Sequence, residues 1–143
     1  MTPYGKVAHA ALCATSLIAE HYDAKHPVRF SSQQIAKRRK LSQAIVAKVL
    51  TTLSQTGVVV GMPGPGGGYT LARSPEQITL LDIVAPFERL ELSVSCPHGE
   101  GGCDLGENCP LYQQLDKFRL DVTDFLEHTT LQGFQKSIVR NTE

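Results

Sequence analysis

Cys96, Cys103 and Cys109 fall within fourteen residues, in the stretch Cys96-Pro97-His98-Gly99-Glu100-Gly101-Gly102-Cys103-Asp104-Leu105-Gly106-Glu107-Asn108-Cys109-Pro110. Thiolates are soft ligands suited to iron–sulfur clusters, zinc or cuprous copper. Structural zinc sites usually pair cysteines across two to four residues; here the gaps are six and five residues. Cys109 precedes Pro110 at the expected start of a long helix, where the helix dipole favours a thiolate. The fourth cysteine, Cys13, stands mid-helix among apolar residues and reads as core packing.

A second chemistry-bearing group is cationic. Lys37-Arg38-Arg39-Lys40 is a four-residue basic run followed by Leu41-Ser42-Gln43-Ala44. Residues 1–75 hold nine Lys/Arg against two Asp/Glu, a balance of +7, and residues 76–143 hold five against twelve, a balance of −7. A basic half suits a polyanion, and an acidic half argues against that half touching DNA.

The elements that must position these groups follow from periodicity and caps. Residues 4–22 predict a buried first helix, apolar almost all round from Val7 to Ala14. Ser31 and Gln34 form a capping-box pattern opening a short helix to about Arg38. A third helix starts at Ser42, with Ile45, Val46, Val49, Leu50 and Leu53 in one stripe. Gly57 is the expected left-handed C-cap. Val58-Val59-Val60 and Tyr69-Thr70-Leu71 predict two strands joined by a Gly/Pro turn. Ser74-Pro75-Glu76-Gln77 predicts a second capping box and a helix spanning roughly 79–88. A long helix runs from Pro110 to about His128. In it Leu111, Leu115, Phe118, Val122 and Phe125 step by 4, 3, 4, 3, a coiled-coil seam expected to pair with a second copy.

The second and third helices match a helix-turn-helix. Small Ala36 permits a close crossing, Leu41 fills the turn and Ser42 caps the next helix; Lys40 stands where many such motifs have Gly. The outward face of the third helix presents Gln43, Ala44, Ala47, Lys48 and Thr51. Gln43 can pair with an adenine edge, the alanines can meet thymine methyls, and Lys48 can reach guanine or phosphate. The basic run, Arg38 and Lys40 included, would neutralise phosphates and set orientation. The fold class is therefore mainly α with a small β-hairpin: a winged helix-turn-helix plus a long dimerisation helix. Residues 1–75 form the DNA-binding region, and 76–143 the cysteine-loop and dimerisation-helix region of the same domain.

The chain resembles the Rrf-two family of winged-helix transcription regulators. The resemblance rests on the initial helix, the helix of 41–53, Gly64-Pro65-Gly66-Gly67-Gly68-Tyr69, Ile78-Thr79-Leu80-Leu81-Asp82-Ile83, the three cysteines and the last helix. It implies a homodimer that binds near-palindromic double-stranded DNA, with the wing tip, Gly66 and Gly67, among the DNA contacts. It also implies a [2Fe–2S] or [4Fe–4S] cluster on Cys96, Cys103 and Cys109. Family members often carry Arg where Pro63 stands. The fourth cluster ligand of one branch is a His where Tyr112 stands, and that of another is an acidic residue where Lys6 stands. His9, one turn beyond Lys6, is then a candidate fourth ligand, with His98, Asp104 and Glu107 of the cysteine stretch, or an open iron site filled by water or a small thiol, as alternatives.

The expected function is a dimeric repressor whose operator binding is controlled by the cluster, sensing redox, nitric oxide or iron–sulfur status. The alternative is a cluster-free, zinc or thiol-switch regulator, or an adaptor acting through a partner protein. No substrate motif or nucleophile with an adjacent base points to an enzyme. The start of the chain lacks a signal-peptide pattern and no apolar run is long enough to span a membrane, so a cytoplasmic protein with reduced thiols is expected.

Overall fold

The computed structural model describes residues 5–88, 105 and 108–135. Helix α1, Lys6–Glu20, buries Ala8, Ala10, Ala11 and Ala14 together with Leu17, Ile18 and Ala19. Alanine favours helix and lets neighbours approach closely. Burial is most continuous from Ala14 to Ala19, later along the helix than the apolar run suggested. Thr15 and Ser16 are also buried, and their hydroxyls donate to the carbonyls of Ala11 and Cys13 at 2.9 and 3.0 Å. No polar side-chain atom is buried without a partner among the described residues.

Helix α2, Ser32–Arg39, opens with both legs of the capping box: the Ser31 amide donates to Gln34 Oε1 at 2.9 Å and the Gln34 amide to Ser31 Oγ at 3.1 Å. It closes at Lys40, whose φ of 54° and ψ of 48° are left-handed. Helix α3, Gln43–Gln55, buries Val46, Val49, Leu50 and Leu53 completely against α1 and α2. Each such side chain contributes roughly 1.5–3 kcal/mol. Ser42 occupies the N-cap position of α3, but its side chain makes no capping bond, contrary to expectation. Gly57 supplies the left-handed residue after α3, at φ 80°.

Strands β1, Val59–Met62, and β2, Gly68–Leu71, pair antiparallel with Val59 opposite Leu71 and Met62 opposite Gly68. Phe30 adds a bridge on the far side of β2 through two bonds with Tyr69, at 3.0 and 2.8 Å.

The next segment departs from its expectation. Ser74 makes no side-chain cap; Pro75–Gln77 is a single 3-10 turn. Ile78 then extends into the core, fully buried. The working capping box is Thr79 with Asp82, and the helix it opens, α4, is only Leu80–Val84. Helix α5, Tyr112–His128, is held at its C-terminal end. The Leu80 amide donates to the Thr129 carbonyl at 2.9 Å and the Leu131 amide to the Ile78 carbonyl at 3.1 Å. Leu126 and Leu131 are fully buried in the same core as α1 and α3. No helix of the described residues is long and apolar enough to cross a membrane.

Lys40 is the only residue other than glycine with positive φ among the described residues. For an L-residue that conformation costs about 1–2 kcal/mol, and glycine is free of most of it. Lys40→Gly is expected to stabilise the fold by about 1 kcal/mol in chemical denaturation. A lower unfolding midpoint would show that the Lys40 side chain supports the turn.

Candidate nucleic-acid interface and cysteine site

Burying the Val46–Val49–Leu50–Leu53 stripe turns the opposite face of α3 to solvent. Gln43, Ala44, Ala47, Lys48 and Thr51 are all exposed there. The Thr51 hydroxyl donates back to the Ala47 carbonyl at 2.9 Å. Ser42 is exposed beside Gln43, its hydroxyl not used as a cap. One surface thus carries an amide for adenine, methyls for thymine and a cation, the chemistry a major groove accepts.

The basic run divides into two roles. Lys37, Arg38 and Lys40 are exposed. The Arg38 guanidinium lies 5.2 Å from the Phe30 ring centre, a cation–π contact that fixes the side chain while leaving its charge accessible. Arg39 turns inward instead. It meets Glu20 Oε1 at 2.7 Å, donates through Nε to the Cys13 carbonyl at 3.2 Å, and reaches Ser16 Oγ at 3.3 Å. Both partners of the Arg39–Glu20 pair are mostly buried. Arg39 is therefore a tie between α1 and α2, and the expectation that the whole run neutralises phosphates is corrected for this residue. Helical spacing carried the signal: Arg39 is four residues after Ile35 and three after Ala36, both buried.

The wing tip lies between β1 and β2. Gly64 and Gly66 have positive φ. A Cβ on Gly67 would fall 2.1 Å from the Met62 carbonyl oxygen, and one on Gly68 within 3 Å of the Phe30 backbone, so glycine at these two positions is a packing requirement.

Of the three candidate metal ligands, Cys96 and Cys103 lie outside the described residues. Cys109 is half-buried and in no disulfide. The Tyr112 amide donates to the Cys109 carbonyl at 3.0 Å. Since α5 begins at Tyr112, Cys109 stands in the turn ahead of the helix rather than at its first residue. His9 is exposed on α1, its Nε2 3.5 Å from Cys13 Sγ. Burial pushes the Cys13 thiol pKa up, partly offset by the Arg39 guanidinium, which keeps it a protonated packing group. The Gly5 amide bonds the Glu88 carboxylate. His9 thus sits one helical turn from the point where the chain leaves α4 toward the cysteine stretch. Among the described residues no group of three metal-ligating side chains is assembled.

On α5 the expected seam splits. Leu115 and Val122 are half-buried, and Val122 packs on the core; Leu126, outside the 4-3 pattern, is fully buried. Leu111, Phe118 and Phe125 are exposed at 45, 51 and 52%. Seven-residue spacing places these three on one ridge.

The model of the Rrf2 family, described as iron-dependent transcriptional regulators, matches residues 5–137. The chain belongs to the Rrf2 family. As in that family, it is a DNA-binding transcriptional regulator and not an enzyme. A candidate HTH-type transcriptional regulator of Aquifex aeolicus is 32% identical over 104 residues, covering 70% of this chain and 71% of that one. The HTH-type transcriptional regulator IscR of Cronobacter sakazakii is 27% identical over 131 residues, covering 92% and 76%. The solved structure of CymR, the global cysteine regulator of B. subtilis, aligns with a TM-score of 0.73 at 21% identity, covering 96% of this chain and 98% of that one. The solved structure of T. potens IscR aligns with a TM-score of 0.65 at 23% identity, covering 97% of this chain and 87% of that one, and the winged-helix architecture expected from the sequence is that of these structures.

Two kinds of basic residue predict two kinds of variant. An Arg38→Ala/Lys40→Ala double variant should weaken binding similarly on all DNA sequences and flatten the salt dependence by about two, whereas Gln43→Ala should relax base preference with the slope unchanged. Arg39→Ala should lower stability, by about 1–3 kcal/mol for the hydrogen-bond partners left unpaired, without a change in salt slope. Equal slopes for the parent and the double variant would remove Arg38 and Lys40 from the phosphate contacts.

Proposed function

We propose that the protein is a homodimeric repressor of near-palindromic operators, controlled by an iron–sulfur cluster on Cys96, Cys103 and Cys109. The observation that carries the DNA half is the undivided surface of α3 and the α2 end. Gln43, Ala44, Ala47 and Lys48 are exposed there beside Lys37, Arg38 and Lys40, and Gly66 and Gly67 form the adjoining wing tip. The acidic second half stays off the polyanion.

The donor chemistry fits a cluster. Three thiols in a fourteen-residue, glycine-containing stretch are soft ligands, and Cys109 has no disulfide partner. Bound there, a cluster supplies iron–sulfide bonds that oxidants, nitric oxide or iron shortage can break, which makes it a gauge of redox, nitric oxide or iron–sulfur status. His9 is the candidate fourth ligand, by its place beside the root of the cysteine stretch. The chain itself supplies the connection to DNA. Cys109 leads into α5, the end of α5 is bonded to α4, α4 packs on α1, and α1 holds α3 and Arg39. Ordering Cys109 therefore bears on the helix that carries the Leu111–Phe118–Phe125 ridge and on the core beneath α3.

The ridge, with half-buried Leu115 and Val122 beside it, is the proposed dimer seam. Paired heads would then grip half-sites one helical turn apart or a multiple of it. Phe118→Asp places a charge at its centre and should leave a monomer by light scattering at micromolar concentration, with the parent a dimer. A monomeric parent would refute the seam.

Purification without oxygen, with a visible spectrum and iron and sulfide assays, tests the cluster. A brown parent with iron and sulfide is expected, with iron lost in Cys103→Ala. His9→Ala should change the spectrum and shorten cluster lifetime. A colourless, zinc-containing parent, or a full cluster in Cys103→Ala, would overturn the three-cysteine site; an unchanged His9→Ala would remove only the fourth ligand.

A further inference from the structure

Helices α2 and α4 each complete a capping box from within. Gln34 accepts the Ser31 amide and Asp82 the Thr79 amide, three residues on in both cases. Helix α1 has no such residue. Its N-cap is Gly5, which has no side chain to offer, Ala8 stands three residues on, and no acid lies in the first turn. The acceptor comes instead from just beyond α4: the Gly5 amide bonds the Glu88 carboxylate. A Cβ on Gly5 would fall 2.5 Å from Glu88 Oε1, so glycine leaves the room that the carboxylate occupies. The same carboxylate brings a negative charge to the positive end of the α1 dipole.

The two ends of this contact have different supports. On the α1 side, the His9 amide donates to the Gly5 carbonyl at 2.9 Å and closes the first turn. On the other side, the Glu88 amide donates to the Val84 carbonyl at 3.1 Å, and Phe87 packs on the core. Glu88 then leads directly into the cysteine stretch, eight residues before Cys96. A helix with its own box is capped whatever the rest of the chain does. The cap of α1 holds only while the chain at Glu88 is in place.

We propose that Glu88 is a positioning residue that makes the first turn of α1 depend on the state of the cysteine stretch. With Cys96, Cys103 and Cys109 ligated, the chain that follows Glu88 is tethered and the carboxylate stays on the Gly5 amide. With the ligand lost, the stretch gains conformations, Glu88 leaves Gly5, and the start of α1 frays for want of its acceptor. His9, the candidate fourth ligand, closes that turn, so the cap and the cysteine site support each other. Helix α1 also holds α3 and Arg39, so the change begins in the helix beneath the DNA-facing surface. The inference rests on the cluster reading above.

The test is hydrogen exchange of the His9–Leu12 amides, on the full chain purified without oxygen and on the same protein after a chelator has removed its iron. In the parent, iron removal should speed their exchange about fivefold, the effect of losing one cap. In Glu88→Ala they should exchange at the fast rate in both forms, so that the dependence on iron disappears. Glu88→Gln keeps an acceptor oxygen and should retain most of the protection. Gly5→Ala displaces the carboxylate without altering Glu88 and should behave like Glu88→Ala. The α3 amides should exchange alike in every variant. If the His9–Leu12 amides of Glu88→Ala match the parent, or still respond to iron by the parent's factor, the coupling fails while the cluster reading stands. Faster exchange throughout α3 would mean a general loss of stability and would equally overturn the coupling. A parent without iron and sulfide refutes the cluster reading and the coupling with it.

Discussion

The rest of the structure depends on the burial of one helix stripe. Val46, Val49, Leu50 and Leu53 of α3 are removed from water, with α3 packed on α1 and α2. With its apolar stripe fully buried in a core shared with α1 and α2, α3 has little freedom to roll about its axis. The orientation of Gln43, Ala44, Ala47 and Lys48 is then decided by the core. A recognition surface built on such a helix is precise because its other side is packed, and it needs no contacts of its own to stay in place.

Charge placement follows from the same constraint. Two helices of a helix-turn-helix must be fixed at an angle by something other than the short turn between them. Lys40 holds that turn in a left-handed conformation that lysine does not prefer. The opposing force is supplied from the neighbouring residue. Arg39 is bound to Glu20, Ser16 and the Cys13 carbonyl on α1, and Glu20 is one of only two acidic residues in the first 75. One cation of the run is thus used to hold the other three at the surface. The nearly uncompensated basic half makes sense in these terms: acid is present where a tie is required and is scarce where a polyanion would lie.

Much of this was legible in the sequence because its signals are local. The α3 stripe, the Ser31–Gln34 box, Gly57 and the two strands are each decided within a few residues, and each is found, the first strand shifted from residues 58–60 to Val59–Met62. The misreadings come where two local signals compete or where a distant partner decides. Ser74-Pro75-Glu76-Gln77 and Thr79 with Asp82 both carry capping patterns. The second wins because Ile78 is drawn into the core in extended form, which ends the first after a single turn. Arg39 looked like its neighbours by type, and only its spacing from Ile35 and Ala36 marks it as inward. A strict 4-3 seam leaves Leu126 out. It is four residues after Val122, on the face that the same chain buries.

That last point changes what kind of surface α5 presents. A free-standing coiled coil would devote one stripe to its partner and leave the rest to water. Here two apolar stripes lie side by side on one helix. One, centred on Val122 and Leu126, belongs to the chain's own core; the other, Leu111, Phe118 and Phe125, faces out. A second copy docking on the outer stripe would extend an existing core rather than found a new one. The helix on which it docked would already be held by the bridge between Thr79 and Thr130. Among the described residues the fully buried side chains and the bridge lie toward the terminus away from Cys109. In the proposed regulator, ligation of Cys109 would therefore act at the end of the helix away from that bridge, and through the helix on how two copies meet.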